Sequence, residues 1–361
     1  MPRSLWSEAA LDKYFPGAGD RVYLDTASIG LVPTVVGPAV AGCYDALGSG
    51  VRGMSRTRDM VARTRTLVAE EFGCEPDDLT FTSSTGEAVN AVARAVPWRP
   101  GDEVVVLDDE FPTVLQPWSR LPGVRLVRVI PGADEDRQGA LAEAIGPHTR
   151  LVAVSHVNSR TGTAVDLAAL GAACARVGAL LLCDGAQSAG TLPVDLSAVD
   201  FYVATGYKWM LAGFGVAFLV SRPPVRDMLD PTLLGHANEP PLKSLSVGTP
   251  NLAGLFALGA AAELRSDFGR EAISARAAAL ARRIRAETVG LGLRAVAPAG
   301  TPSTVVSLKP TARSAAEYVH LLAQDGIVAA DRGGLLRISP HFYTRDSDVD
   351  ALLRALSRLS H

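Results

Sequence analysis

The sequence predicts an α/β protein: a mostly parallel seven-stranded sheet covered by helices, followed by a small C-terminal α/β unit. Three observations carry this. Seven short apolar runs recur between Leu79 and Val220, near-continuous rather than alternating, as in strands buried on both faces. Helix-like segments lie between them, Leu167–Val177 with clear helical spacing, as crossovers between parallel strands require. Beyond Gly248-Thr249-Pro250-Asn251 the texture changes to two long helical stretches and then short alternating elements.

In chain order, Ser55–Phe72 carries helical periodicity with a strongly charged exposed face. The predicted strands are Leu79–Thr82, Glu103–Leu107, Leu126–Ile130, Leu151–Val157, Leu180–Cys183, Phe201–Ala204 and Val216–Val220. Leu252–Leu264 and Glu271–Val289 read as long helices. Thr304–Leu308, Ser314–Gln324, Leu335–Ser339 and Asp346–Leu359 complete the small unit. The expected division is 1–20 as an N-terminal segment packing with the small unit, 21–255 as the large domain and 256–361 as the small one. No repeat or low-complexity linker interrupts the chain.

With 361 residues, 48% of them hydrophobic and 20% charged, the chain can bury a large core. A net charge of -3 with interspersed signs offers no basic stripe for a nucleic-acid backbone. No stretch approaches the roughly 18 uncharged apolar residues of a membrane span, and the start lacks an apolar signal core, so neither nucleic acid nor membrane is expected as a partner. Cys43, Cys74, Cys174 and Cys183 fit neither a zinc pattern nor a disulfide framework. All four read as buried small residues, no metal is expected, and the cytoplasm is the expected location.

In an open parallel sheet, ligands collect beyond the carboxyl ends of the strands. Five features stand there. Lys208 lies in the mostly apolar run Ala204-Thr205-Gly206-Tyr207-Lys208-Trp209-Met210-Leu211 and is one of four lysines among 35 basic residues. Arginine stays protonated, whereas a lysine among apolar neighbours loses its proton more readily and can form a Schiff base. Its plainer role is a snorkelling side chain. In Phe81-Thr82-Ser83-Ser84-Thr85-Gly86 a strand runs into hydroxyl residues and a helix, either a helix cap or a phosphate cradle in which Ser84, Thr85 and Gly86 donate. Leu180-Leu181-Leu182-Cys183-Asp184-Gly185 ends a buried strand in an acid that either forms a turn or meets a cation such as a protonated pyridine. Phe111 follows a strand and is either core or a ring-stacking lid. His156 and Asn158 close another strand, the histidine reading as structural and Asn158 as able to point into a site.

Taken together, a phosphate cradle, an acid for a ring nitrogen, an aromatic lid and a lysine amine, in this order, resemble the fold type I pyridoxal-phosphate enzymes. More narrowly the chain resembles the class V aminotransferase and cysteine desulfurase superfamily, from Tyr23-Leu24-Asp25-Thr26-Ala27-Ser28 to Arg337-Ile338-Ser339-Pro340-His341. The resemblance implies pyridoxal 5'-phosphate as cofactor, with Lys208 holding it as a Schiff base and shuttling the substrate Cα proton. Asp184 would pair with the pyridine nitrogen, Gln187 and Asn158 would lie by the ring 3-hydroxyl, and Phe111 would cover the ring. Ser84, Thr85, Gly86, Thr205 and Tyr207 would hold the phosphate, Tyr207 where many relatives carry histidine. Thr249 would reach a neighbouring subunit's phosphate, implying a homodimer with shared sites. Arg337 would clamp the carboxylate of an amino-acid substrate, and Ala27 and Ser28 would line the entrance.

Two departures set further expectations. The loop Asp325-Gly326-Ile327-Val328-Ala329-Ala330-Asp331-Arg332-Gly333-Gly334 has no cysteine to form a persulfide, and Phe111 stands where desulfurases place a histidine. The expectation is therefore an enzyme other than a cysteine desulfurase, similar to the isopenicillin-epimerase-like or carbon-sulfur-lyase-like branch. A β-eliminating lyase leads, with an aminotransferase or amino-acid epimerase as the alternative. A third class, a protein that binds the cofactor without turnover, is disfavoured by the intact set of Lys208, Asp184 and Arg337.

Overall fold

The computed structural model describes residues 6–132, 136–237 and 245–360. Helix α1 (Glu8–Tyr14) starts at Ser7, whose side chain accepts the Ala10 amide. Strand β1 (Val22–Tyr23) follows, then helices α2 (Val36–Gly48) and α3 (Met54–Phe72). Helix α3 stops at Gly73, whose φ of 67° is the left-handed cap that glycine adopts without steric cost.

The central sheet comprises β2 (Leu79–Thr82), β3 (Glu103–Leu107), β4 (Arg125–Val129), β5 (Thr149–Ser155), β6 (Leu180–Asp184), β7 (Phe201–Thr205) and β8 (Ala217–Ser221). Among the described residues it is seven-stranded, ordered β2-β8-β7-β6-β5-β3-β4. Strand β8 runs antiparallel to both neighbours and all other pairs are parallel. Every residue of β2, β3, β6, β7 and β8 is buried, which accounts for the near-continuous apolar runs of β3, β6, β7 and β8. Alternation still operates beneath that uniformity. Val105, Leu181 and Tyr202 join one core, and Val104, Val106, Leu180, Leu182 and Phe201 the other. Helix α4 (Thr85–Ala95) packs Ala88, Val89 and Val92 into the second core. Helix α5 (Leu167–Val177) packs Leu167, Leu170 and Cys174 into the first. Only β4, at the edge, exposes Arg125 and Arg128, a charged rim that discourages further strand addition.

Helix α6 (Leu252–Phe268) lies against α2 and α3. The Thr64 hydroxyl donates to the Leu255 carbonyl at 3.0 Å, and Arg265, 1% exposed, pairs with Glu71. The expected border at 255/256 thus falls inside a helix whose first turns belong to the large core. The chain leaves that layer at Gly269 (φ 84°), where α7 (Arg270–Glu287) begins. The small unit adds β9 (Leu293–Ala295), β10 (Val306–Pro310), α8 (Ala315–Gln324), β11 (Ile327–Val328), β12 (Ala330–Asp331), β13 (Leu336–Ile338) and α9 (Asp346–Leu359). Its antiparallel sheet has the order β12-β13-β10-β9. Strand β10 starts two residues later than the sequence suggests, because the buried Arg285 guanidinium holds the Ser303 and Val305 carbonyls.

The N-terminal chain returns to this unit. Strand β1 pairs with β11, Leu24 enters the small core, and Asp25 bridges to Ser339. Leu11 of α1 and Phe15, which follows the helix, pack with Phe268, Ile273, Phe342 and Tyr343. Segment 22–28 therefore lies between the two units, which positions the site described next. Cys43, Cys174 and Cys183 are buried, but Cys74 is only half-buried, contrary to expectation, because it follows the α3 cap at the edge of the core. Among the described residues no helix is long and apolar enough to cross a membrane.

Candidate active site

Lys208 is placed by a tight turn after β7. A side chain at Gly206 would meet Val216 Cγ1 at 2.6 Å, so only glycine lets the chain turn there. Leu211 sits at φ +60°, a conformation costing a leucine on the order of 1–3 kcal/mol, and its amide donates to the Lys208 carbonyl at 3.2 Å. From the other side the Gly30 amide donates to the Tyr207 carbonyl at 2.9 Å, and a Cβ at Gly30 would lie 2.0 Å from the Lys208 oxygen. The result is a lysine 8% exposed. Burial pulls its pKa down to about 8 against the pull of Asp184, with Arg337 and Arg332 adding to the fall. Its Nζ stands 5.7 Å from the Phe111 ring centroid and 5.5 Å from that of Tyr207.

Asp184 faces it from the end of β6. Burial raises its carboxyl pKa, opposed by the Ala186 amide at 2.8 Å and by Lys208. Its Oδ2 makes no hydrogen bond among the described residues. The sharp exit from β6 requires Gly185, where a Cβ would meet the Tyr202 hydroxyl at 2.1 Å. Beside it stands a second buried acid, Glu110, which nothing in the sequence singles out. Glu110 accepts the Ser155 amide at 2.9 Å and hydroxyl at 2.5 Å, and burial pushes its pKa up to about 7. His156 bonds Ser188 at 3.0 Å, and burial lowers its pKa to about 4, as befits a neutral structural ring.

One cavity is lined by Thr85, Phe111, Asp184, Gln187, Thr205, Tyr207 and Lys208, so the fold brings these candidates together from four separate segments, at the ends of β2, β3, β6 and β7. Ser84 caps α4, its side chain accepting the Glu87 amide. The first-turn amides of Thr85 and Gly86 have no partner within the helix, and the space beside Gly86 is bordered by the Ser84 and Thr113 hydroxyls, which a Cβ there would meet only at ordinary contact distances of 3.6 and 3.9 Å. Tyr207 stacks on Phe214 with centroids 4.4 Å apart. Gln187 is spent at both ends, donating to the Ala27 carbonyl at 3.0 Å and accepting the Trp209 indole at 2.9 Å.

Of the other candidates, Ser84, Gly86, Ala27, Ser28, Arg337, Asn158 and Thr249 do not line this cavity. The Asn158 oxygen accepts from the Arg160 amide and from the amide and hydroxyl of Thr161, and its nitrogen donates to the Asp109 carbonyl, so it organises its own loop. Ser155 and Ser159 line the cavity instead. Thr249 is exposed and also stands outside this cavity. The loop Leu234-Gly235-His236-Ala237-Asn238-Glu239 lies partly outside the described residues. His341 is buried against the Trp209 carbonyl and the Phe342 amide, and burial lowers its pKa to about 3.

The mouth is built from opposite ends of the chain. Arg337 Nη2 donates to Asp25 Oδ1 at 2.9 Å and Ser28 Oγ at 2.5 Å, while Nη1 donates to the Ser159 carbonyl at 3.0 Å. Arg332, on a glycine-rich turn that carries no sequence signal of its own, donates to the same Ser28 hydroxyl at 2.6 Å. Arg337 has an acidic partner; Arg332 has no ion pair among the described residues. The group therefore carries one uncompensated positive charge, suited to a carboxylate. Ala27 anchors this strand, its amide donating to the Ser339 hydroxyl at 3.0 Å. Because these contacts link residues some three hundred positions apart, only the arginines and small polar residues themselves could have flagged them.

A lysine amine, a buried carboxylate with a free oxygen and a hydroxyl-rich helix start fit the aldehyde, ring nitrogen and phosphate of pyridoxal 5'-phosphate. Fold and site together define a fold type I enzyme of that cofactor. The chain belongs to the class V aminotransferase family, which matches residues 22–352. It is 30% identical to the isopenicillin N epimerase of Streptomyces clavuligerus, over 82% of this chain and 84% of that one. It is 27% identical to a probable cysteine desulfurase of Methanothermobacter thermautotrophicus, over 94% and 95%. Among solved structures, the cystine C-S lyase C-DES with its product cysteine persulfide matches at 26% identity and a TM-score of 0.86, covering 95% of this chain and 99% of that one. The exclusion of a desulfurase is thereby corrected. Proteins named as cysteine desulfurases match this chain over nearly its full length, so one cysteine-free loop does not set it apart from them.

Proposed function

We propose that this protein is a lyase that cleaves the Cβ–S bond of a sulfur-bearing α-amino acid by β-elimination. The observation that carries the reading is the placement of a buried, readily deprotonated Lys208 between Asp184 and the arginine-lined mouth. Its likeness to a cystine C-S lyase supports the choice of reaction. Bound pyridoxal 5'-phosphate supplies an electron sink for the Cα carbanion. The protein's own residues do the rest. Arg337 and Arg332 hold the α-carboxylate, displacing the Ser28 hydroxyl. Asp184 holds its negative charge against the ring nitrogen. Lys208 takes the proton from Cα, the Cβ–S electrons depart with sulfur, and a proton returns to the thiolate. Hydrolysis of the remaining fragment gives pyruvate and ammonia, so one water is consumed per thiol released. Phe111, at the opening, shields the reacting face from water.

Ser84, Thr85, Gly86, Thr205 and Tyr207 would receive the phosphate. A second copy of the chain would bring its Thr249 to that phosphate. The exposed apolar groups Ile29, Val32, Phe111, Phe214 and Val247 support such a homodimer, since an apolar surface of this kind is otherwise left in water. Four unpaired thiols support a reducing, cytoplasmic setting.

Purified protein incubated with S-substituted cysteines should release pyruvate and thiol in equal amounts. Amino-group transfer to a keto acid, or inversion at Cα without pyruvate, would sink the lyase reading.

A further inference from the structure

Arg285 of α7 is a buried cation with no anion. It is 5% exposed, and its guanidinium donates to the carbonyls of Thr301, Ser303 and Val305 at 3.5, 2.6 and 3.0 Å. Carbonyl dipoles offset part of the cost of burying a charge, but leave the net charge in place. Arg282, one helical turn earlier, faces the same cleft. Neither arginine forms an ion pair among the described residues. Burial lowers the Arg285 pKa to about 10, and Arg282 adds to the fall, so the two guanidinium groups repel each other. The cleft they share has a volume of about 290 Å³. Its wall includes Thr304, whose hydroxyl is buried and makes no hydrogen bond. A buried polar atom without a partner is uncommon and calls for a ligand or a water. Ala275, Ala278, Leu192 and Pro193 supply apolar walls.

We propose that this cleft binds a small oxyanion, a phosphate or the carboxylate of a short organic acid, held by Arg282, Arg285 and the Thr304 hydroxyl. The position gives it a structural consequence. One wall, Thr191–Pro193, leads from the loop after Asp184 in the large unit; the other, α7 with 300–304, belongs to the small unit. Leu192 packs on the cluster of Ala27, Val157, Trp209 and Val305, and Trp209 is the residue after Lys208. The anion therefore ties the two units together directly behind the active site.

The test uses cofactor-loaded enzyme, so that the phosphate cradle is already filled. Thermal unfolding is followed with sodium phosphate and with sodium butyrate, each against sodium chloride of equal ionic strength, while the visible spectrum monitors the active site. At ten times its Kd the anion should raise Tm by about 2 °C with the visible band unchanged. Arg285→Ala removes three loop contacts and can unfold the protein, so the informative variants are Arg282→Ala, on the helix surface, and the isosteric Thr304→Val. The first should weaken binding about tenfold and the second about fivefold. A response to phosphate alone points to a phosphate or phosphoryl ligand and a response to butyrate alone to an organic acid; either supports the site. No rise with either anion, or a rise that persists undiminished in both variants, overturns it.

Discussion

The two halves of the candidate site are built differently. The cofactor wall, Thr85, Asp184, Thr205 and Lys208, stands on strand ends and a helix start of one buried sheet. The mouth, Asp25, Ser28, Arg332 and Arg337, is assembled from loops and short strands at opposite ends of the chain. The wall is rigid because each of its residues follows an element buried on both faces. The mouth is held by charge and by one shared hydroxyl, which a substrate carboxylate can displace. Chemistry is thus assigned to the rigid part and recognition to the adaptable part, as loops on a scaffold generally are.

Substitutions should separate the halves. The largest effect is expected at the wall. Asp184→Asn keeps the shape but removes the charge, and kcat should fall about 10²–10³-fold, measured by pyruvate release at saturating substrate. At the mouth, Arg337→Ala leaves Asp25 unpaired and should lower kcat/KM about 10²-fold while the cofactor spectrum stays unchanged. Arg332→Ala removes an exposed cation and should cost about tenfold, mostly in KM. A loss of cofactor absorbance in either arginine variant would erase the distinction between wall and mouth.

The smallest effect is a pH dependence. Burial lowers the Lys208 pKa to about 8, so the neutral amine that captures the aldehyde grows as pH rises toward 8. At pH 7 about a tenth of it is already neutral, against well under a thousandth for an ordinary lysine. The rate of cofactor uptake by apoenzyme should therefore rise through pH 7–8 and level off above 9. A rate still climbing steeply at pH 10 would mean that the amine is solvated.

The wall was legible in the sequence and the mouth only partly so. Buried parallel strands announce themselves as apolar runs, and a residue closing such a run, as Asp184 does, is found at once, whereas Thr205 was reached through family likeness. Ser28 and Arg337 were reached only through family likeness. Arg332, Asp25 and Glu110 were not assigned, because an arginine on a glycine-rich turn or an acid beside Phe111 acquires meaning only when distant segments meet. Asn158 shows how a polar residue at a strand end can be read two ways, since its oxygen is bonded within its own turn. The exclusion of a desulfurase rested on two local features, the cysteine-free loop before Arg337 and Phe111 in a histidine's place, and these weigh less than a resemblance running along the whole chain.

The central claim is that Lys208, among the four lysines, carries the cofactor. Holoenzyme reduced with borohydride and digested should yield one pyridoxyl-labelled peptide, containing Lys208, and Lys208→Ala should yield none and show no visible band. A label on Lys13, Lys243 or Lys309, or an undiminished band in Lys208→Ala, would contradict the account.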